Sequence, residues 1–223
     1  MIKYTEEQMG TAFHYYLKHG RPTRIPRNSN IYCEFAALQG IADFILVKGN
    51  PFNACSLYQL KGLRADSSIF SLLKPKAGRK RTYVFQRSGL SDKSCTMALS
   101  ELQKAGIIRI SEGKFHQTSI IDNRSASIWA FELKLADWKR AIFQCLQYQS
   151  YANYSVAVFP MDKQFILINN LHYFENLNIG VLLFDPLELK SKWLFYPKRE
   201  SSKMNSSRAY VLLKLYNLNL PRS

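Results

Sequence analysis

The segment Gly40-Ile-Ala-Asp-Phe-Ile-Leu-Val47 constrains the fold more than any other stretch of the chain. It reads as a strand that is apolar on both faces, the pattern of a strand inside a sheet covered on both sides, yet it holds one acid, Asp43. A carboxylate there is costly unless it is paired, lies at an exposed edge or binds a cation. Ile31-Tyr-Cys-Glu34-Phe-Ala-Ala, just before it, reads as a companion strand. Much later comes Ile128-Trp-Ala-Phe-Glu-Leu-Lys-Leu135, whose period of two puts Trp129, Phe131, Leu133 and Leu135 on one face and Glu132 and Lys134 on the other. If this strand lies beside the Asp43 strand, three charged groups converge.

Charge narrows the class of partner. The 223 residues carry 31 Lys and Arg against 16 Asp and Glu, a net charge of +15, while 47% of residues are hydrophobic. A chain of that composition buries a normal core and meets an anionic partner. The basic excess is densest in residues 54–126, with 13 basic and 5 acidic residues. Here Ser68-Ile-Phe-Ser-Leu-Leu73 reads as a short helix, followed by the cationic loop Lys74-Pro-Lys-Ala-Gly-Arg-Lys-Arg81. Ser91 caps a second helix, from Asp92 to Ala105, and Gly106 ends it. Ile107-Ile-Arg-Ile110 and Lys114-Phe-His-Gln-Thr-Ser-Ile-Ile121 read as a hairpin around Glu112-Gly113.

Helices joined by a Gly-containing turn and followed by a hairpin describe a winged helix. Ser88-Gly-Leu-Ser91 followed by Leu99-x-x-Leu102-x-x-x-Gly106-Ile-Ile108 is similar to bacterial winged-helix regulators. In that family the early face of the second helix enters the major groove of DNA, which here implies Lys93, Ser94, Met97 and the neighbouring Thr96. Lys114 and His116 of the wing would meet phosphates. The alternative is a winged helix that contacts protein, with its cations as solvated surface.

Asp43 followed by Glu132-x-Lys134 resembles the PD-(D/E)XK nuclease superfamily, and the surroundings extend the resemblance. Phe131-Glu-Leu-Lys-Leu-Ala-Asp-Trp-Lys-Arg140 looks like the family's third strand entering a helix, Gln147-Tyr-Gln-Ser-Tyr151 like a Gln-x-x-x-Tyr element, and Tyr154-Ser-Val-Ala-Val-Phe-Pro160 like the last core strand. The resemblance implies an α/β (α+β) protein: a restriction-endonuclease-like mixed-sheet core with helices on both faces, interrupted by a winged helix-turn-helix domain. Residues 1–53 and 127–223, including a C-terminal helix, would form the core, and residues 54–126 the inserted domain. It further implies a metal-dependent DNA endonuclease in which Asp43 and Glu132 hold Mg²⁺ or Mn²⁺ and Lys134 positions or deprotonates the attacking water. Glu34 would complete the metal site, Gln147 and Tyr151 would orient the lysine or hold DNA, and Lys139 and Arg140 would meet phosphates. Ala42 stands where many members have proline.

The remaining features set bounds. Met1-Ile-Lys-Tyr-Thr-Glu-Glu-Gln-Met-Gly10 has no leader pattern, and the longest apolar runs, around Phe165 to Ile168 and Ile179 to Phe184, are strand-sized, so a cytoplasmic protein with no membrane partner is expected. Cys33, Cys55, Cys95 and Cys145 show no paired spacing and read as small core residues. Thr5 to His19 is an amphipathic helix, Gly180 to Asp185 and Ser191 to Tyr196 read as strands, and Arg208 to Tyr216 as a closing helix. The expected partner is DNA, double-stranded or branched. A homodimer would suit double-strand cutting, and a nuclease subunit of a larger transposition or defence complex fits the same residues. The non-enzymatic alternative is a DNA-binding regulator or structural component on a nuclease-like fold.

Overall fold

The computed structural model describes residues 4–20, 24–53, 58–122 and 125–220; residues 1–3 and Cys55, read above, lie outside the described residues. In chain order the elements are α1 (Glu6–His19), β1 (Asn30–Ala36), β2 (Ile41–Lys48), α2 (Leu63–Leu72), β3 (Arg79–Lys80), α3 (Arg81–Ser88), α4 (Asp92–Lys104), β4 (Ile108–Ser111) and β5 (Lys114–Gln117). They continue with β6 (Ser127–Leu133), α5 (Trp138–Tyr148), β7 (Tyr154–Pro160), α6 (Gln164–Asn169), α7 (Leu171–Asn176), β8 (Gly180–Asp185), β9 (Lys190–Phe195) and α8 (Asn205–Leu218). The chain divides into two compact units, one of Met1–Lys48 with Ser127–Lys203 and the other of Gly49–Ala126 with Met204–Ser223. Among the described residues no helix is long and apolar enough to cross a membrane.

The first unit is mixed α/β. Its six-stranded sheet runs in the order β1-β2-β6-β7-β8-β9, parallel through β6, β7 and β8 and antiparallel at both ends. Near-continuous apolar sequence in β6, β7 and β8 requires cover on both faces, and both faces have it. On one face Phe44, Leu46, Trp129, Phe131, Leu133, Val156, Val158, Leu182 and Phe184 pack with Met9, Phe13 and Tyr16 of α1. Phe13 meets Phe44, Phe131 and Phe184 edge-on, with ring centroids 5.1 to 5.7 Å apart, and each such buried ring contributes about 1.5–3 kcal/mol. The start of α1 is fixed by a capping box between Thr5 and Gln8. On the opposite face α7 places Phe174 against Phe159 and, alongside it, the stacked rings of Trp138 and Tyr173 join α5 to α7.

Strands β2 and β6 pair across 78 intervening residues, from Phe44 opposite Phe131 to Lys48 opposite Ser127. The second unit therefore leaves and rejoins the sheet at adjacent positions. Its first residue, Gly49, has φ 87°, and a Cβ there would lie 2.2 Å from the Ser125 carbonyl oxygen, so only glycine suits the close approach.

The second unit follows the order helix, strand, helix, helix, hairpin, with α2, α3 and α4 around a sheet of order β3-β5-β4. Ile69, Phe70, Val84, Cys95, Leu99, Leu102, Ile107 and Phe115 form its core. Ser91 caps α4 by accepting from the Ser94 amide, and Gly89 at the end of α3 takes the left-handed conformation.

Three expectations change. The C-terminal helix does not belong with the sheet: Ala209, Leu212, Leu213 and Tyr216 of α8 join the second core, Asn217 exchanges two hydrogen bonds with Leu60, and the Arg208 guanidinium donates to the Ala126 carbonyl. Ala209, Val211, Leu212, Leu213, Leu215 and Tyr216 point all round that helix, so it needs cover on every side, and its sequence alone does not say which core supplies it. The inserted segment begins at Gly49 rather than 54, because the Phe52 and Asn53 backbone pairs with Ile121 and Ile120. Finally, Cys95 and Cys145 are buried, but Cys33 is exposed.

Candidate active site and basic face

The pairing that the three charged groups required is present. One step beyond Phe44 and Phe131 the register places Asp43 opposite Glu132. On the other side of β2, Glu34 falls between the pairs Cys33–Phe44 and Phe35–Ala42, opposite Asp43. By register, three carboxylates thus fall in one row across β1, β2 and β6. The ladder breaks at this row. Glu34 has φ 46°, and the Leu133 amide donates to Asp43 Oδ2 at 2.7 Å.

Burial is the main influence on the Asp43 carboxyl, which is pushed up to about 6; the nearby Glu132 charge raises it further, and the Leu133 amide and Lys134 hold it down only in part. Glu132 is 1% exposed and both of its oxygens have partners. Lys134 Nζ donates to Oε1 at 2.6 Å and to the Leu133 carbonyl at 3.1 Å. The Tyr148 hydroxyl donates to Oε2 and also lies 2.7 Å from the Ile41 carbonyl, so one proton serves two acceptors. Burial, then the Glu132 charge, holds the Tyr148 phenol far above its ordinary value.

Asp43 and Glu34 open into a cleft of about 480 Å³ that Glu6, Glu7 and His14 of α1 also line. Glu6 Oε1 accepts from the Leu135 amide at 3.3 Å, and its charge adds to the rise at Asp43. A chain with only 16 acids places four in this one cleft, making it locally negative within a strongly basic protein.

The remaining predicted residues fall in different places. Gln147 packs over Gly40, where a Cβ would lie 2.6 Å from its Oε1, and makes no hydrogen bond to Lys134. Tyr151 is fully buried against Tyr148, so it does not reach a ligand in the cleft. The physical reason is the end of α5: the helix stops at Tyr148, and residue 151 lies past its C-cap, so the spacing from Gln147 does not carry a helical face. Gln144 and Tyr148 have the same four-residue spacing within the helix, and it is Tyr148 that meets Glu132. Gln144 Oε1, one turn earlier, is buried without a hydrogen-bond partner. Lys139 and Arg140 are exposed on the first turn of α5, behind Asp137, which caps that helix through the Arg140 amide.

In the second unit Lys93 and Met97 are exposed on α4, Ser94 is tied to Ser91, and Arg81, Thr82, Phe85, Lys93, Thr96 and Met97 line a shallow groove of about 610 Å³. Arg81 is held in it twice, over the Phe85 ring and by a hydrogen bond to Thr96 Oγ1. Arg79 lies over Tyr83, and Lys80 stands directly opposite Lys114 across the β3–β5 ladder. Like charges facing each other in a ladder are unfavourable unless an anion joins them. His116 is not offered outward: a Cβ on Gly78 would lie 2.2 Å from its Nε2, so the imidazole packs under that glycine.

Two oxygen-donor carboxylates with an uncompensated charge at Asp43 suit a hard divalent cation such as Mg²⁺ or Mn²⁺. They do not make a finished cage, since among the described residues no three His, Cys, Asp or Glu side chains converge as a metal-binding group. Sequence reasoning missed Glu6 and Tyr148. The helix dipole alone accounts for acids in the first turn of an amphipathic helix, and packing alone for a tyrosine at the end of one, so neither residue stands out in the sequence. Comparison with family models, with curated proteins and with solved structures found no match.

Proposed function

We propose that the chain is a metal-dependent DNA endonuclease of the PD-(D/E)XK type whose second unit is a winged helix that binds duplex DNA. The observation that carries this reading is the row in which Asp43 faces Glu132 while Lys134 Nζ lies on Glu132. The order of α1, β1, β2, β6, α5 and β7, with Asp on the second strand and Glu-x-Lys at the end of the third, supports it. A divalent ion held by Asp43 and Glu132 would acidify a bound water and neutralise charge on the scissile phosphate. The chain's own groups set the geometry. The Leu133 amide fixes one Asp43 oxygen, Tyr148 fixes one Glu132 oxygen, and the Lys134 ammonium stands beside the other, where it orients a water and meets charge developing on phosphate.

One observation favours the second reading, a DNA-binding regulator or structural component: both Glu132 oxygens already have partners inside the chain. Incubation with supercoiled, linear and branched DNA in Mg²⁺, Mn²⁺ or EDTA separates the two. The nuclease reading expects cleavage that EDTA abolishes and that Glu132→Ala lowers by at least about 100-fold. Cleavage that persists in the variant removes the site assignment, and no cleavage on any substrate moves the protein to the second reading.

DNA contact through the second unit has its own test. Each phosphate neutralised contributes about 0.9 to the slope of log affinity against log salt. Lys93→Ala together with Lys114→Ala should therefore reduce the slope by about 2, and an unchanged slope would assign these lysines to solvated surface.

A further inference from the structure

A cation in the cleft meets Asp43 and then needs one oxygen of Glu132, whose two partners differ in what each keeps if it lets go. Lys134 Nζ lies 2.6 Å from Oε1 and is largely buried, so withdrawing it would leave a buried ammonium without its counter-charge. Tyr148, the last residue of α5, donates to Oε2 and is neutral. Its hydroxyl is also 2.7 Å from the carbonyl of Ile41, the first residue of β2 and two positions before Asp43. A phenol has one proton to donate, and these two acceptors compete for it.

Charge decides the competition. A hydrogen bond to a carboxylate is roughly twice as strong as one to a neutral carbonyl, so in the metal-free chain the proton belongs to Glu132. The order reverses when that oxygen coordinates a divalent cation, because the cation draws off the negative charge that made it the better acceptor, while the Ile41 carbonyl is unchanged. Passing from one acceptor to the other needs only rotation of the O–H bond. The ring itself is fully buried against Tyr151 and has no reason to move. Glu132 Oε2 is then free to bind, and the buried hydroxyl has a partner before and after. Possession of two internal partners by Glu132 is therefore compatible with a ligand role.

We propose that Tyr148 is a hydroxyl switch on the metal ligand: it holds Glu132 Oε2 in the metal-free chain and turns to the Ile41 carbonyl when a divalent cation binds. This rests on the reading of Asp43 and Glu132 as metal ligands, and it makes Tyr148 a positioning residue that competes with the cation. Calorimetry of Mn²⁺ binding to the full chain, without DNA, tests it. Tyr148→Phe removes the competing hydroxyl and should tighten Mn²⁺ binding about 10-fold, the worth of one charge-assisted hydrogen bond. A hydroxyl that only braced the carboxylate would give the opposite sign. Glu132→Gln should abolish measurable binding. The phenylalanine keeps the ring, so thermal unfolding should stay close to wild type. If that variant unfolds early, the wild-type chain decides: Mg²⁺ should move the near-ultraviolet absorption of one tyrosine to shorter wavelength, as its donation passes from a carboxylate to a neutral carbonyl. Mn²⁺ binding that Tyr148→Phe weakens or leaves unchanged, or a tyrosine band that Mg²⁺ does not move, overturns the switch and leaves the metal site standing. A wild-type chain that binds no Mn²⁺, or binding that Glu132→Gln leaves intact, overturns the switch and the site together.

Discussion

Lys134→Ala should lower the stability of the sheet-containing unit by about 3 kcal/mol, whatever the chemistry of the cleft. Glu132 is almost wholly buried, its Oε1 is matched by Lys134 Nζ at 2.6 Å, and the lysine is itself largely buried. Removing the cation strands a carboxylate in a site where Asp43 and Glu132 already act unfavourably on one another. The Tyr148 hydroxyl remains as partner to Oε2 but carries no charge. Replacing both members, Glu132→Gln with Lys134→Met, removes the stranded charge and should recover most of the loss. All three tryptophans, Trp129, Trp138 and Trp193, lie in this unit, so tryptophan fluorescence during denaturant unfolding reports it selectively. A loss below about 1 kcal/mol for Lys134→Ala would mean that water reaches Glu132 once the lysine is gone, the behaviour of an exposed pair. On the nuclease reading the double variant also separates stability from chemistry, since it should fold and fail to cleave.

Much of this arrangement is legible in residue order. Period-two patterning of residues 128–135 identifies β6 and separates the Trp129 face from the Glu132 face, because strand geometry leaves no other phase. Asp43 stands out because a lone acid in an apolar strand has few inexpensive explanations. What sequence does not supply is long-range placement. Nothing local says that Glu6 of α1 reaches the Leu135 amide, 129 positions later, or that α8 joins a core begun near Leu60. The exchange of Tyr151 for Tyr148 has a different origin. Both fit a helical pattern on paper, and only the end of α5, set by how that helix packs on β6 and β7, decides between them. His116 fails for a third reason: an alternating hairpin gives its face, but the close approach of Gly78 decides whether that face meets solvent.

The second large effect should appear in the other unit, at Asp66 of α2. It is fully buried, and neither carboxylate oxygen has a hydrogen-bond partner. Burial is the first cause that pushes its carboxyl up to about 7 and the charge of Glu101 on α4 is the second, while the Gly62 amide, the nearest donor, opposes them weakly and without hydrogen-bond geometry. Tyr58, which packs against this core, donates to Glu101 and does not reach Asp66. The sign follows from a folded value above the unfolded one. Below about pH 4 the group is protonated in both states and stability is at its greatest; as pH rises from about 4 to about 7 the unfolded chain ionises freely and the folded one does not, so stability falls, and it levels off above about 7. The total fall should be about 4 kcal/mol. Asp66→Asn cannot ionise and should remove that decline, making the unit more stable than wild type at pH 8 and little different at pH 4. The second unit contains no tryptophan, so amide hydrogen exchange of α2 and α4 in the full chain is the suitable readout. Equal pH dependence in wild type and Asp66→Asn would mean that Asp66 is ionised and solvated in the folded protein, and that water enters this core beside Glu101.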